Sequence, residues 1–347
     1  MSVFHDLGAR WLRGQEPERA HELTIKALKS GLGPKANPRD PVLETTLAGI
    51  RLPNPIGLAP GFDKNAEVFA PMLAAGFGFV ECGTVTPRPQ EGNPRPRLFR
   101  LSEDDAVINR MGFNNEGLEA FAARLTGRGR GVVGANVGAN KDSEDRIADY
   151  VTGVTRLWGL CDYLTINISS PNTPGLRALQ TREALEELLG RIAETRARLP
   201  ARGRVPMFLK VAPDLEDAEI EAIVETAVDQ KLEGIIVSNT TLARDGLRSP
   251  LAQETGGLSG APLFERSTQV LRSFNAASEG RLVLIGVGGV GSGEQAYAKI
   301  RAGASAVQLY SALVYEGPGL VSRIARDLAK RLKADGFLHV AEAVGAN

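Results

Sequence analysis

From Pro41 onward one pattern repeats along the chain: a short apolar run of four to six residues, then a stretch of helical character. The runs fall at residues 56–59, 79–82, 132–137, 163–168, 207–211, 234–238, 282–286 and 306–309. Runs this short and this continuously apolar read as strands buried on both faces, and a helix between successive strands makes them parallel. Eight such units predict an α/β fold of the (β/α)8 TIM-barrel type. A doubly wound open sheet is the rival, but its open edges fit fewer strands. Ahead of the first run, "LETTLAGIRLPNPIG" reads as a hairpin turning at Ala48-Gly49, placed to close the barrel floor.

Residues 1–40 have a different character. Val3, Phe4, Leu7, Trp11 and Leu12 recur at helical spacing, and a second helix is expected to open at Glu16-Pro17 and end near "SGLGPKANPRD". On it His21, Ile25, Leu28 and Leu32 share one apolar stripe. Helices of this kind either pack on the main domain or lie in a membrane interface. Seven Lys or Arg against five Asp or Glu in the segment suit anionic headgroups. A Pro/Gly-rich linker then divides the chain into a small N-terminal two-helix membrane-associating segment, 1–40, and a barrel domain, 41–347. Near the other end "RDLAKRLKADGF" reads as a final helix with a loosely ordered tail behind it.

Composition excludes several classes of function. Lys plus Arg and Asp plus Glu both number 41, so the overall charge predicts no nucleic-acid partner. Cys82 and Cys161 have no metal-ligand spacing and form no disulfide framework, as in a reducing compartment. Histidine occurs only as His5, His21 and His339, which removes most Ser-His, Cys-His and His-metal sites from the barrel and predicts no metal. No apolar run is long enough to cross a bilayer, and no signal peptide opens the chain. The protein is expected to stay inside the cell.

In a barrel, chemistry gathers where strands end and loops begin. Those positions here read "APGFDKN", "CGTVTPRPQEGNPRPRLFRL" running on to "INRMGFNN", then Asn136, "TINISSPNTPGLR", "FLKVAPD", "VSNTT", "GVGGVGSG" and "LYSALVYEG". Singly, Asn and Ser after a strand are ordinary turn formers and caps. Together at one end of most strands they point to a ligand. "GVGGVGSG" followed by "AVQLYSAL" would offer backbone N–H groups near a helix N-terminus, a phosphate site of the kind barrels place after strands seven and eight. The dinucleotide fingerprint is absent, so a mononucleotide such as flavin mononucleotide (FMN) is expected, with Thr84, Asn136, Asn167 and Ser238 along its ring edges. Lys64 and Lys210 add positive charge for a reduced flavin or a substrate carboxylate.

These same stretches, with "GGLSGAPL" and the N-terminal "PERAHEL", resemble the dihydroorotate dehydrogenases of class 2 over roughly residues 41–320. The resemblance implies an FMN enzyme of pyrimidine biosynthesis that oxidises dihydroorotate to orotate and passes electrons to a membrane quinone. Carried over by motif, Ser170 would be the general base, taking the C5 proton while hydride leaves C6, and Thr173 would relay the proton through a water. FMN would meet Pro60, Gly61, Phe62, Asp63, Lys64, Thr84, Asn136, Asn167, Lys210, Ser238, Gly260, Gly289, Tyr310 and Ser311. Substrate would meet Lys64, Asn109, Arg110, Met111, Gly112, Phe113, Asn167, Asn172, Asn239 and Thr240. Pro60 stands where the family commonly has Ala, and Ser238 where it commonly has Thr. His21, Arg100 and Tyr310 would mark a quinone tunnel between the N-terminal helices. The resemblance also implies a monomer bound peripherally to the lipid bilayer surface, on the cytoplasmic side of the bacterial inner membrane. Three other readings stay open at this level: a soluble dihydroorotate oxidase using another acceptor, a Schiff-base lyase built on Lys210, and a membrane-recruited nucleotide-binding barrel.

Overall fold

The computed structural model describes residue 8, residues 11–200 and residues 205–346. A hairpin of β1 (Thr45–Leu47) and β2 (Ile50–Leu52) leads into the barrel strands β3 (Ile56–Leu58) and β4 (Phe79–Val85). The circle continues through β7 (Val132–Val137), β8 (Tyr163–Asn167), β9 (Met207–Val211), β10 (Gly234–Val237), β12 (Val283–Val287) and β13 (Ala306–Leu309). Each strand pairs parallel with the next in chain order, and β13 returns to β3, so the sheet is closed and the open-sheet alternative is excluded. All eight apolar runs are strands of this barrel.

The lower interior is filled by a size rule written into facing strands. Phe79 on β4 sits opposite Gly57, Tyr163 opposite Gly134 and Phe208 opposite Gly234. A Cβ at Gly57 would lie 2.3 Å from the Phe79 ring, and one at Gly134 would lie 2.1 Å from the Tyr163 ring. The three aromatic rings can therefore meet edge to face, at 6.3 and 5.5 Å between centroids. Leu47 and Leu52 of the hairpin close this layer from below. The hairpin turns at Ala48 (φ 47°) and Gly49 (φ 88°), the left-handed pair that a two-residue hairpin connection requires.

Around the barrel run the helices α4 (Arg146–Leu157), α5 (Arg182–Arg198), α6 (Asp217–Asp229), α7 (Phe264–Ser278), α8 (Gly293–Arg301) and α10 (Leu320–Ala334). The last buries Leu320, Val321, Ile324, Leu328 and Leu332 along one face and is longer at its start than its sequence motif suggested. Behind it the expectation of a loose tail is corrected. Val340 and Ala343 are fully buried, the Gly345 N–H donates to the Ile300 carbonyl (3.1 Å), and Arg301 Nε donates to the Ala346 carbonyl (2.6 Å). Two small apolar side chains and two hydrogen bonds fold the tail onto the barrel.

The Pro- and Arg-rich loop after β4 contains structure that periodicity did not show. Residues β5 (Leu98–Leu101) and β6 (Ala106–Asn109) form a hairpin, and β11 (Gly257–Gly260) joins it to make a three-stranded antiparallel sheet over the barrel mouth. Phe99, Leu101, Ala106, Ile108 and Leu258 form its own small core. The helix α1 (Pro17–Lys29) packs against β5. It begins as expected, with the Glu16 carboxylate accepting from the Glu18 and Arg19 N–H groups at 3.0 and 2.8 Å and Pro17 in the first turn. Of the other expected N-terminal helix, residues 11–13 are helical; Val3, Phe4 and Leu7 lie outside the described residues. Among the described residues no helix is long and apolar enough to cross a membrane.

Candidate active site

Strand pleat puts Glu81 inside the barrel, directly above the aromatic layer and fully buried. Its Oε1 accepts from Asn136 Nδ2 (2.7 Å), and its Oε2 accepts from Gln308 Nε2 (2.7 Å) and from the Tyr163 hydroxyl (3.0 Å). These bonds fix which way the Asn136 amide faces. Its Oδ1 then accepts from Thr84 Oγ1 (2.6 Å) and Asn167 Nδ2 (3.1 Å). Asn167 Oδ1 in turn accepts from Ser169 Oγ (2.9 Å) and, at 3.4 Å, from Asn239 Nδ2. A hydrogen-bonded network anchored on one carboxylate thus orders the polar side chains at four strand ends. Glu81 escaped the sequence reading, although an acid inside the apolar run "FVEC" was the available signal.

Above this network lies a cavity of about 860 Å³. Its wall includes Pro60, Gly61, Phe62, Lys64, Thr84, Asn167, Lys210, Ser238, Gly260, Gly289, Tyr310 and Ser311, and also Asn109, Met111, Gly112, Phe113, Ser170, Asn172, Asn239 and Thr240. His21 and Arg100 line the same cavity, together with Leu12, Ala20 and Leu28, so the N-terminal helix walls a continuation of the barrel mouth. Four expected residues do not reach it. Asp63 turns away to accept the N–H groups of Glu67 (2.7 Å) and Val68 (2.8 Å). Asn136 stands behind Thr84, Arg110 pairs with Glu254 (2.7 Å) and stacks 4.4 Å from the Phe99 ring, and Thr173 is buried in the loop. Thr240 Oγ1 and Asn114 Oδ1 line the cavity, are buried, and have no hydrogen-bond partner among the described residues.

The segment carrying Ser170 is pinned from three sides. Arg177 Nε donates to the Ser169 carbonyl (3.1 Å) while its Nη2 donates to the Thr240 carbonyl (2.9 Å). Asn172 Nδ2 donates to Asn109 Oδ1 (3.2 Å), and Asn93 Nδ2 donates to the Asn172 carbonyl (3.1 Å). Ser170 itself is buried at 5 % exposure, and its Oγ accepts the Asn172 N–H at 3.2 Å. The Thr173 hydroxyl makes no direct bond to it.

Two lysines enter the cavity without a hydrogen-bond partner among the described residues. Burial pulls Lys64 down to about 8, with repulsion from Arg97 adding to it and the Glu18 carboxylate opposing. Burial also lowers Lys210, against the pull of Glu81. His21 is driven down to about 3, first by burial and then by Lys64, and is neutral at any physiological pH. Its Nε2 lies 2.8 Å from the Phe62 carbonyl. A carbonyl can only accept, so Nε2 carries the proton and Nδ1 is an acceptor. The His21 ring meets Phe62 edge-on at 5.6 Å, and Phe62 meets Tyr310 edge-on at 5.5 Å.

A buried ion pair that the sequence did not suggest fastens α1 to this mouth. Glu18, 5 % exposed, receives Arg97 Nε at 3.1 Å and Nη2 at 2.7 Å, and Arg95 Nη2 at 3.0 Å. Arg97 Nη1 donates onward to the Glu91 and Asn93 carbonyls (2.6 and 2.8 Å). Since Asn93 holds Asn172, one chain of bonds runs from α1 to the Ser170 loop.

The cavity suits a flavin nucleotide. At its far end Gly288 (φ 108°) and Gly289 (φ 71°) bring backbone to the surface, and a Cβ at Gly289 would sit 2.6 Å from the Phe264 nitrogen at the start of α7. The N–H groups of Gly289, Val290 and Ser311 have no partner among the described residues, and Ser259 Oγ pairs with Ser311 Oγ at 2.8 Å beside them. Donors without carboxylates match a phosphate, and the Thr84, Asn167 and Lys210 groups match a polar ring edge. Among the described residues no cluster of His, Cys, Asp or Glu could hold a metal.

A sequence model of the dihydroorotate dehydrogenase family matches residues 42–332. A protein of Rhodospirillum rubrum named dihydroorotate dehydrogenase (quinone) is 60% identical over 353 aligned residues, covering 100% of this chain and 95% of that one. One of the same name from Parvibaculum lavamentivorans is 57% identical, covering 96% and 95%. Among solved structures, that of DHODH from Eimeria tenella in complex with ferulenol superposes with a TM-score of 0.92 at 40% identity, covering 95% of each chain. The ligand-free form from the same organism gives 0.91. With matching fold, full-length identity and the family's motifs all at one barrel mouth, the chain belongs to the dihydroorotate dehydrogenase family, among its class 2, quinone-dependent members.

Proposed function

We propose that the chain oxidises (S)-dihydroorotate to orotate with bound FMN, Ser170 acting as general base, and delivers the electrons to a membrane quinone reached through the cavity beside α1. The observation that carries this reading is the single cavity joining Ser170, Lys210 and the Gly288-Gly289 turn to the His21 face of α1. The two other enzymatic readings fall with family membership, because the relatives are named for dihydroorotate and quinone. That leaves Lys210 as a charge rather than a Schiff-base nucleophile. The non-catalytic barrel falls on the same ground.

Gly260, Gly289, Tyr310 and Ser311 would hold the FMN phosphate, and Thr84, Asn167, Lys210 and Ser238 its ring. When bound there, FMN would supply the two-electron redox chemistry, as acceptor for the hydride of substrate C6 and as donor to quinone. Ser170 takes the C5 proton, so that the C5=C6 double bond forms as both hydrogens leave. A free serine hydroxyl is almost never ionised, so Ser170 must pass its own proton on as it accepts one, with Thr173 and a water as the relay. Asn109, Asn172, Asn239 and Thr240 orient the substrate ring, and Lys64 meets its carboxylate. His21 Nδ1, always unprotonated here, can accept a hydroxyl hydrogen of the hydroquinone. Exposed Trp11 (60 %) and Leu32 (69 %) near the outer end of the cavity would rest in lipid, with the protein a peripheral monomer on the cytoplasmic face of the inner membrane.

The visible spectrum of purified protein under anaerobic conditions tests cofactor and substrate together. Flavin bands that bleach on adding dihydroorotate are expected; a colourless protein, or a yellow one that dihydroorotate leaves unchanged, would refute the reading. A second expectation follows from Lys64. Its ammonium ion is lost above its depressed value of about 8. Orotate affinity, read from perturbation of the flavin spectrum, should be flat below that pH and weaken above it by roughly tenfold per unit. An affinity constant from pH 7 to 9.5 would remove Lys64 from the carboxylate site.

A further inference from the structure

Lys299, on α8, is one charged side chain that the reading above does not use. It is fully buried, and Nζ donates to Ser267 Oγ (2.7 Å) and Thr268 Oγ1 (3.0 Å) while facing the Phe264 ring at 5.3 Å. Among the described residues no carboxylate lies within ion-pair distance of it. Glu265 attracts it and Arg272 repels it, both from farther away, and burial pulls it down to about 7. An ammonium group in this position is costly unless an anion compensates it.

Its partners show where that anion would be. Ser267 Oγ lies 3.1 Å from the Gly288 carbonyl, and a Cβ at Gly288 would come within 2.8 Å of the same oxygen. The lysine's own stem passes under Gly286, where a Cβ would meet its Cδ at 2.9 Å. Phe264, over which Nζ lies, opens α7 against Gly289. Lys299 therefore sits directly behind the glycine turn, with the N-terminus of a 15-residue helix beside it.

We propose that Lys299 is the buried counter-charge of the phosphate site, a positioning residue that holds the FMN phosphate through the Gly288-Gly289 turn without touching it. The inference rests on the reading of this turn as the FMN phosphate site. A hydroxyl-lined pocket screens the charge little, so a phosphate on the other side of one peptide layer would feel it, whereas uncharged parts of the flavin would not.

The test is flavin exchange on the holoenzyme. Wild type, Lys299→Met and Lys299→Gln are each equilibrated with mixtures of FMN and riboflavin, and the ratio of the two bound flavins is measured by chromatography. Gln retains a neutral N–H donor facing the Ser267 and Thr268 hydroxyls, so one neutral variant remains usable if Met packs badly. Both variants are expected to lose the preference for FMN by roughly tenfold or more, with riboflavin binding unchanged and thermal stability of the flavin-free protein equal to or above wild type. A preference retained within twofold, or equal weakening of both flavins, would overturn the role of Lys299 alone. Absence of any FMN preference in wild type would overturn the phosphate site and this inference with it.

Discussion

Replacing Ser170 by alanine should leave FMN bound and slow flavin reduction by dihydroorotate by roughly 100- to 10,000-fold, the range contributed by a positioned general base. Rapid mixing under anaerobic conditions, following the flavin absorbance, measures this step apart from quinone chemistry. The expectation is large because no other base is at hand. Both cysteines are buried, and burial raises their thiols above the ordinary range. Of the histidines, His21 lines the cavity but is pulled down to about 3, too weak a base for this step, and His339 in the C-terminal tail does not line it. Below about pH 8, where the reaction is followed, Lys64 is an ammonium ion and cannot take a proton. The loop itself should survive the change, since Arg177, Asn93 and Asn109 hold it through backbone and amide groups rather than through the serine hydroxyl. The substitution removes one hydrogen bond, from the Asn172 N–H, worth about 1 kcal/mol. Near-normal reduction in the variant would assign the base elsewhere.

How far the molecule could be read from its sequence depended on how local each signal was. A barrel strand announces itself in five residues, because both its faces are buried and its neighbours are again strands of the same kind. The sheet over the mouth does not, because β11 pairs with β6 across 148 residues between Asn109 and Gly257, and neither strand is continuously apolar. The same distance hid Glu18. On a helical wheel it falls on the same stripe as His21, Ile25 and Leu28, and only the fold brings Arg97, 79 residues on, to pair it there. Lys299 stands in the last turn of its helix, where a cation is ordinarily favourable and solvated, so nothing local marks it as buried. Its partners Ser267 and Thr268 come from a different helix. Asp63 and Arg110 were assigned from motif position, and the structure turns both away from the cavity toward local partners. Motifs place the backbone well, but the direction of a long side chain is decided by neighbours that the motif does not contain.

Removing residues 1–38 should separate the two halves of the reaction. Dihydroorotate-dependent bleaching of the flavin and reduction of a soluble dye are expected to persist within several-fold. Quinone reduction should fall by roughly 100-fold or more, since each large apolar side chain buried against a ligand contributes about 1.5–3 kcal/mol and every 1.4 kcal/mol is a factor of ten. Leu12, Ala20, Leu28 and Leu32 all line the cavity from this segment, and His21 goes with them. The barrel can tolerate the loss. Arg97 would lose Glu18, but the departure of α1 opens its guanidinium to water, so no buried charge is left unpaired. It would retain its bonds to the Glu91 and Asn93 carbonyls, and through Asn93 the support of the Ser170 loop. Equal loss of dye and quinone activity would instead make α1 part of the substrate site's scaffold, acting through the Glu18–Arg97 pair. Glu18→Gln in the full chain then distinguishes the causes. It weakens that pair while the apolar residues of α1 remain in the chain, so a tunnel predicts that flavin bleaching and dye reduction persist and a scaffold predicts that both are lost.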